Sequence, residues 1–338
     1  MTPRSRILGT GHYLPPNVRT NADLEKLVDT SDAWIVERTG IRERRIAPEG
    51  IVTSDMAANA AKEALAAAGL TAAQLDMIIV GTVTPDMPMP ATAVYVQQKI
   101  GATHCAAFDL SAACAGFIYG MSLADNCIAG GLAKNILIIG VELLSRVVNW
   151  SDRTTCVLFG DGAGAAILGP ADGAEARGRP RGVLSTQIYS DGSLARSLMI
   201  PGGGSEKPAS HAAIDENAHK VHMKGQDIFK AAIKNLYGAS KSALERTGLG
   251  PADIDWVVPH QANTRILDQV VSRLGVDTAK VLTNIDRVGN SSSACIPILL
   301  EESIRSGKIT PGDTVLMCAQ VLEFPGAAPS SACRQTHL

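Results

Sequence analysis

The sequence predicts an α/β protein built from two copies of one fold. Three observations carry that expectation: an internal repeat, alternation of helix-like and strand-like segments, and a wealth of small aliphatic residues. Residues 64–80 (ALAAAGLTAAQLDMIIV) align without gaps on residues 243–259 (ALERTGLGPADIDWVVP), an offset of 179. Each copy reads as an amphipathic helix stopped by a glycine, Gly69 or Gly248, then a short turn and a buried strand. The same offset sets Asn135-Ile136-Leu137-Ile138-Ile139 on Thr314-Val315-Leu316-Met317-Cys318, a second strand that follows a turn in each half. Continuous apolar strands alternating with helices imply mostly parallel sheets covered on both faces.

The chain of 338 residues is 46% hydrophobic, with 32 glycines and 4% aromatics, enough for a large core of small side chains. That suits an α/β enzyme better than a binding module. A net charge of -2 provides no general attraction to nucleic acid or membrane, and neither is expected as a partner. Met1 to Gly11 lacks the apolar stretch of a signal peptide, and the longest apolar runs are broken by Asp125 or Lys134, so a soluble cytoplasmic protein is expected. The seven cysteines (105, 114, 127, 156, 295, 318 and 333) form no CxxC pair and have no histidine cluster beside them. This argues against zinc and against a disulfide framework, and makes most of them buried apolar fillers.

A polar, Gly/Pro-rich stretch near 172–183 marks the expected boundary, dividing residues 1–175 from 176–338. The irregular stretch 202–216 reads as a surface or substrate-covering loop.

Residues 106–117 (AAFDLSAACAGF) read as a strand running into a helix that starts with small residues. A cysteine there, Cys114, meets the positive end of a helix dipole and unpaired backbone N–H groups, which favour the thiolate. The competing reading is a filler cysteine in a close-packed helix start. His260 falls just past the strand Ile254 to Val258, where open α/β sheets present ligand-binding groups; a structural histidine is its ordinary alternative. Asn290 lies in VGNSSSACIP, a run of small residues leading into another helix. Shifting Cys114 by 179 lands on Ser293, so the repeat makes the Asn290 turn the mate of the Cys114 turn. Three separate sites thus converge.

The motifs DLSAACAGF, VPHQAN and VGNSSSACIP resemble, in order and spacing, the Cys, His and Asn motifs of the β-ketoacyl-acyl-carrier-protein synthase III family. TSDAWIVERTGIRER (30–44) and FGDGAGAAIL (159–168) resemble two further signatures, and the likeness runs from about residue 5 to residue 319. The resemblance implies a thiolase-like five-layer α-β-α-β-α fold and a decarboxylative Claisen condensation between a short acyl-CoA and malonyl-acyl-carrier protein. Cys114 would carry the acyl group, while His260 and Asn290 would donate hydrogen bonds to the enolate left by decarboxylation. No metal or redox cofactor is implied; CoA thioesters enter as substrates.

By the same resemblance Trp34 and Arg153 would sandwich the CoA adenine, Arg38 would contact CoA, and Asn263 would lie near the pantetheine arm. Arg265 and Arg273 match part of a basic surface for the acidic carrier protein, with an exposed charged helix face as the alternative. Met89 matches a side chain that reaches the acyl pocket of the other subunit of a homodimer. A thiolase would show a second histidine motif in place of the Asn290 pattern and a second catalytic cysteine near the C-terminus. A secondary-metabolism homologue and a non-catalytic scaffold are the remaining alternatives.

The sequence departs from the family after Ala319, where QVLEFPGAAPSSACRQTHL replaces a glycine-rich turn, Trp-Gly and a final apolar strand. One base restored after a CAG codon for Gln320 yields Gly-Ala-Gly-Val-Pro-Trp-Gly-Gly-Ala-Leu-Val-Arg-Leu-Pro. A one-base frameshift is the expected explanation.

Overall fold

A computed structural model describes residues 3–176 and 178–319. The first half runs β1 (Ser5–Tyr13), β2 (Asn17–Thr20), α1 (Asn21–Glu25), α2 (Asp32–Thr39), β3 (Glu43–Ile46), α3 (Thr53–Ala68), β4 (Met77–Gly81), α4 (Thr92–Ile100) and β5 (Ala106–Leu110). It continues through α5 (Gly116–Ala129), β6 (Ile136–Leu143), α6 (Arg153–Cys156) and β7 (Asp161–Pro170). Two small ribbons follow: β8 (Glu175–Ala176) with β9 (Arg179–Pro180), and β10 (Leu198–Met199) with β11 (His222–Met223), the second pair enclosing α7 (His211–Asp215). The second half then runs α8 (Gly225–Thr247), β12 (Trp256–Pro259), α9 (Thr264–Leu274), α10 (Ile285–Val288), α11 (Cys295–Arg305) and β13 (Val315–Cys318).

The first sheet has the order β1-β7-β6-β4-β5, with β4 parallel to both β5 and β6. β7 alone is reversed, pairing antiparallel with β6 and with β1. Because side chains alternate across a strand, β4 and β6 supply both faces of this sheet with aliphatics. Ile78, Val80, Leu137 and Ile139 pack under α3 and α4, while Met77, Ile79, Ile136 and Ile138 pack on the opposite side against α5 and α11.

The second of those clusters also holds Val258, Leu282, Ile296, Leu299 and Leu300, so both halves share the central helical layer. Beyond it β12 and β13 turn Val257, Leu316 and Cys318 toward α8 and α9. Outer helices, sheet, inner helices, sheet and outer helices make the five layers expected.

The repeat survives as geometry. β4 pairs with β6 from Met77↔Ile136 to Val80↔Ile139, and β12 pairs with β13 from Trp256↔Val315 to Pro259↔Cys318, every partner displaced by the same offset. Gly69 and Gly248 close α3 and α8 at φ 65 and φ 69, a left-handed cap that a side chain would strain. The stretch 202–216 is less irregular than expected. Ser210 caps α7 by accepting from the Ala213 N–H, so local hydrogen bonding supports a turn of helix there. Among the described residues no helix is long and apolar enough to cross a membrane. The expectation about the tail after Ala319 falls outside the described residues.

Candidate active site

β5 delivers the chain to a single turn, Ala113–Ala115, that runs directly into α5. Asp109 near the end of β5 accepts from the Thr92 and Ala93 N–H groups at 2.6 and 2.8 Å, which ties the strand to the start of α4. Ala113 is held at φ 42, a conformation that costs a non-glycine residue about 1 kcal/mol or more and is kept only where the surroundings impose it. Its mate at the 179 offset, Ser292, stands at φ 50 in the turn Ser292–Ala294 that opens α11. The two turns meet, with the Ser292 hydroxyl 3.5 Å from Cys114 Sγ. Gly140 makes this approach possible: a Cβ there would lie 2.2 Å from the Ser293 carbonyl oxygen.

Asn290 is seated from two sides. Its N–H donates to Leu158 O and its carbonyl accepts from the Gly160 N–H, at 2.9 and 3.0 Å. Its Oδ1 accepts from the Ser292 N–H at 2.9 Å, which fixes the amide plane and leaves the Nδ2 hydrogens unspent among the described residues. The FGDGAGAAIL motif serves this seat. Asp161 is fully buried and accepts from the Ser145 N–H and hydroxyl and from the Ala47 N–H. Arg44, the last residue of TSDAWIVERTGIRER, is equally buried and donates to Arg19 O, Asn21 Oδ1 and Val157 O. The two signatures thus brace the site through Asp161 and Arg44.

His260 follows β12, and its N–H donates to Cys318 O at 2.8 Å, extending the β12–β13 ladder by one bond. The residue is buried, and Nδ1 has no hydrogen-bond partner among the described residues.

Sequence reasoning missed Glu142. It is fully buried in β6, where its carboxylate accepts from the Thr84 hydroxyl at 2.8 Å, the Val83 N–H at 3.2 Å and the Ser293 hydroxyl at 3.2 Å. Among the described residues no cation hydrogen-bonds it, and burial raises the carboxyl to about 7 against the pull of those hydrogen bonds. A single acid inside the otherwise apolar ILIIGVEL was the available signal. Cys114 runs against expectation in one respect: burial, first, and the Glu142 charge push its thiol up to about 11, while the Ser292 hydroxyl pulls the other way.

The remaining sequence-predicted residues fall into three groups. Arg153 lies over the Trp34 ring at 4.2 Å and Arg38 at 5.6 Å, so the three gather without a ligand. Asn263 is the N-cap of α9, accepting from the Arg265 N–H, and its amide also donates to Arg38 O. Arg265 and Arg273 are exposed on α9, eight residues apart and so on one helix face. Met89, 83% exposed, stands before α4 away from any packing in this chain. One cluster among the described residues has metal-ligand character, His12 with Glu63 and Glu301. The Arg305 guanidinium already lies 3.1 Å from Glu301 Oε2 and supplies the positive charge there.

The family described as 3-Oxoacyl-[acyl-carrier-protein (ACP)] synthase III matches residues 108–192, and its C-terminal part matches residues 244–321. The chain is 50% identical over 313 residues to the beta-ketoacyl-[acyl-carrier-protein] synthase III of Caldanaerobacter subterraneus, covering 93% of each chain. It is 52% identical to that of Symbiobacterium thermophilum over 92% of each. The crystal structure of 3-oxoacyl-[acyl-carrier-protein] synthase III from Aquifex aeolicus superposes with a TM-score of 0.83 at 45% identity, over 93% of this chain and 94% of that one. The chain therefore belongs to the β-ketoacyl-acyl-carrier-protein synthase III family, thiolase-fold condensing enzymes whose decarboxylative Claisen condensation initiates fatty-acid synthesis.

Proposed function

We propose that Cys114 is the acyl-accepting nucleophile and that His260 and Asn290 stabilise the enolate, the acyl donor being a short acyl-CoA and the acceptor malonyl-acyl-carrier protein. The observation that supports this reading is the meeting of the two strained turns, where the Ser292 hydroxyl lies against Cys114 Sγ and the Ser292 N–H donates to the Asn290 amide oxygen. Cys114 attacks the thioester carbonyl, stores the acyl group as a new thioester of similar energy, and releases CoA. Loss of carbon dioxide from the malonyl group then builds negative charge on its thioester oxygen. The Asn290 Nδ2 hydrogens and a neutral His260 ring donate to that oxygen, and the carbanion attacks the acyl carbonyl on Cys114. In this scheme residues 1–175 supply the nucleophile and residues 176–338 supply the donors.

Trp34, Arg38 and Arg153 hold the CoA adenine end, which must part Arg153 from the Trp34 ring to enter, and Asn263 lies along the pantetheine arm. Arg265 and Arg273 offer the α9 face to an acidic carrier protein. Exposed Met89 suits a homodimer in which it reaches the partner's acyl pocket, and a cytoplasmic setting fits these substrates. Incubation with short acyl-CoAs followed by peptide mapping tests the central assignment. The acyl group is expected on Cys114; its appearance on Cys105, Cys127 or Cys156 would overturn the reading.

A further inference from the structure

We propose that Gln261 is a positioning residue whose amide locks the two enolate donors, His260 and Asn290, into one rigid unit. The inference rests on the reading of His260 and Asn290 as those donors. Gln261 is fully buried one residue beyond His260, and an amide is costly to bury unless its polar atoms find partners. Here they do. Nε2 donates to Pro259 O at 2.9 Å, while Oε1 accepts from the Thr283 hydroxyl at 2.8 Å and from the Asn284 N–H at 3.2 Å. These partners fix which way the amide faces, since Pro259 O can only accept and the Asn284 N–H can only donate.

Each end of this span governs one donor. The Pro259 carbonyl and the His260 N–H belong to the same planar peptide group. Its N–H edge donates to Cys318 O at 2.8 Å and its carbonyl edge is held by Gln261, so the plane that carries the His260 side chain is gripped from both sides. The Ala262 N–H donates back to His260 O at 3.0 Å and closes the turn beyond it. At the far end Asn284 is the N-cap of α10, and its own amide donates to Glu302 Oε2 at 2.8 Å. The Asn284 carbonyl accepts from the Arg287 and Val288 N–H groups, and the Gly289 N–H donates to Ile285 O. This short helix passes the placement of Asn284 on to Asn290. Leu158 and Gly160 hold Asn290 from the first half, and Gln261 ties its approach to the strand that bears His260.

The chemistry asks for such a span. An enolate oxygen accepts from both donors at once only while their spacing is held, and a displacement of about 1 Å can cost about 100-fold in rate. Acylation draws on neither donor, because Cys114 lies in the turn before α5 in the first half. Loss of the span should therefore separate the two half-reactions, which damage to the fold at large would not do.

The test measures both: single-turnover acylation by a short acyl-CoA, read by intact-protein mass spectrometry, and carbon dioxide release from malonyl-acyl-carrier protein. Gln261→Met keeps the length of the side chain and removes all three hydrogen bonds. It is expected to release carbon dioxide about 100-fold more slowly, with the loss in kcat rather than KM, while acylating Cys114 at the wild-type rate. Thr283→Val removes one bond of the span and should slow decarboxylation about fivefold, the worth of one net hydrogen bond, and Thr283→Ser, which keeps the hydroxyl, should restore it. That pair decides the matter should Gln261→Met fail to fold. Native-rate decarboxylation by Gln261→Met or by Thr283→Val overturns the inference, as does an equal loss of acylation and decarboxylation. His260→Ala keeps the two readings apart. If it decarboxylates at the native rate, the donor reading itself fails; a slow His260→Ala beside a native-rate Gln261→Met removes the role of Gln261 and leaves that reading standing.

Discussion

Glu142 is a buried carboxyl group with no cation bonded to it among the described residues, so folding itself alters its affinity for protons. Its ordinary value of 4.5 is raised to about 7, and between those limits the unfolded chain has lost a proton that the folded chain keeps. Its contribution to stability therefore falls as pH rises through that window, by roughly 3 kcal/mol in all. Calorimetric melting of wild type and Glu142→Gln at pH 5 and pH 8 should show the variant gaining relative stability at the higher pH; parallel behaviour would show that the carboxyl is already ionised when buried. The role proposed for His260 is separable from that of Cys114. His260→Ala should abolish malonyl decarboxylation while leaving some Cys114 acylation, and native-rate decarboxylation by that variant would remove His260 from the enolate site. Cys114, His260 and Asn290 could be proposed from the sequence because each sits at a landmark, a helix start or a strand end. Glu142 and Ser292 make their contacts, with Ser293 and with Cys114, across 150 residues or more of chain, which local patterning does not register.

Among elements, the repeat was read correctly wherever helix caps and buried strands repeat at one spacing: α3 with α8, β4 with β12, β6 with β13. It fails between β12 and α11, because α9 begins seven residues before the counterpart of α4. The strand pattern of the second half meets β12 at Val281 in one isolated bridge, where the first half has all of β5. β7 joins β1 to β6 in the first sheet, whereas among the described residues the second sheet holds β12 and β13 only. Residues 183–190, the counterpart of most of β1, form no strand and lie beside α5, where Tyr119 donates to Tyr189 O and Thr186 to Ser122 Oγ. The frameshift reading of the tail supplies an apolar strand after Trp-Gly, the kind of segment that would cover the edge of β13 left open among the described residues. Resequencing the gene and weighing the natural protein decides it: the frameshift reading expects a mass different from that of the printed 338 residues, and agreement with them rejects it.

At the scale of the whole molecule, the central layer belongs to neither half. Phe117, Met121 and Ala124 of α5 and Ile296, Leu299 and Leu300 of α11 fill one core, so separating the halves would expose a continuous apolar face on each. Residues 1–175 and 176–338 expressed together should reassemble into an acylatable enzyme, and either expressed alone should aggregate. Recovery of a soluble, cooperatively melting single half would show that the shared core is dispensable. The twin turns also carry a record of descent. Ala113 and Ser292 keep the same left-handed backbone 179 residues apart, and the positions after them hold Cys114 in one copy and Ser293 in the other. Duplication of a gene for one half would start with two equal turns facing each other. In this chain one turn holds Cys114, the proposed nucleophile, while Ser293 spends its hydroxyl on Gly81 O and Glu142, so that in this reading one sister site has become the other's scaffold.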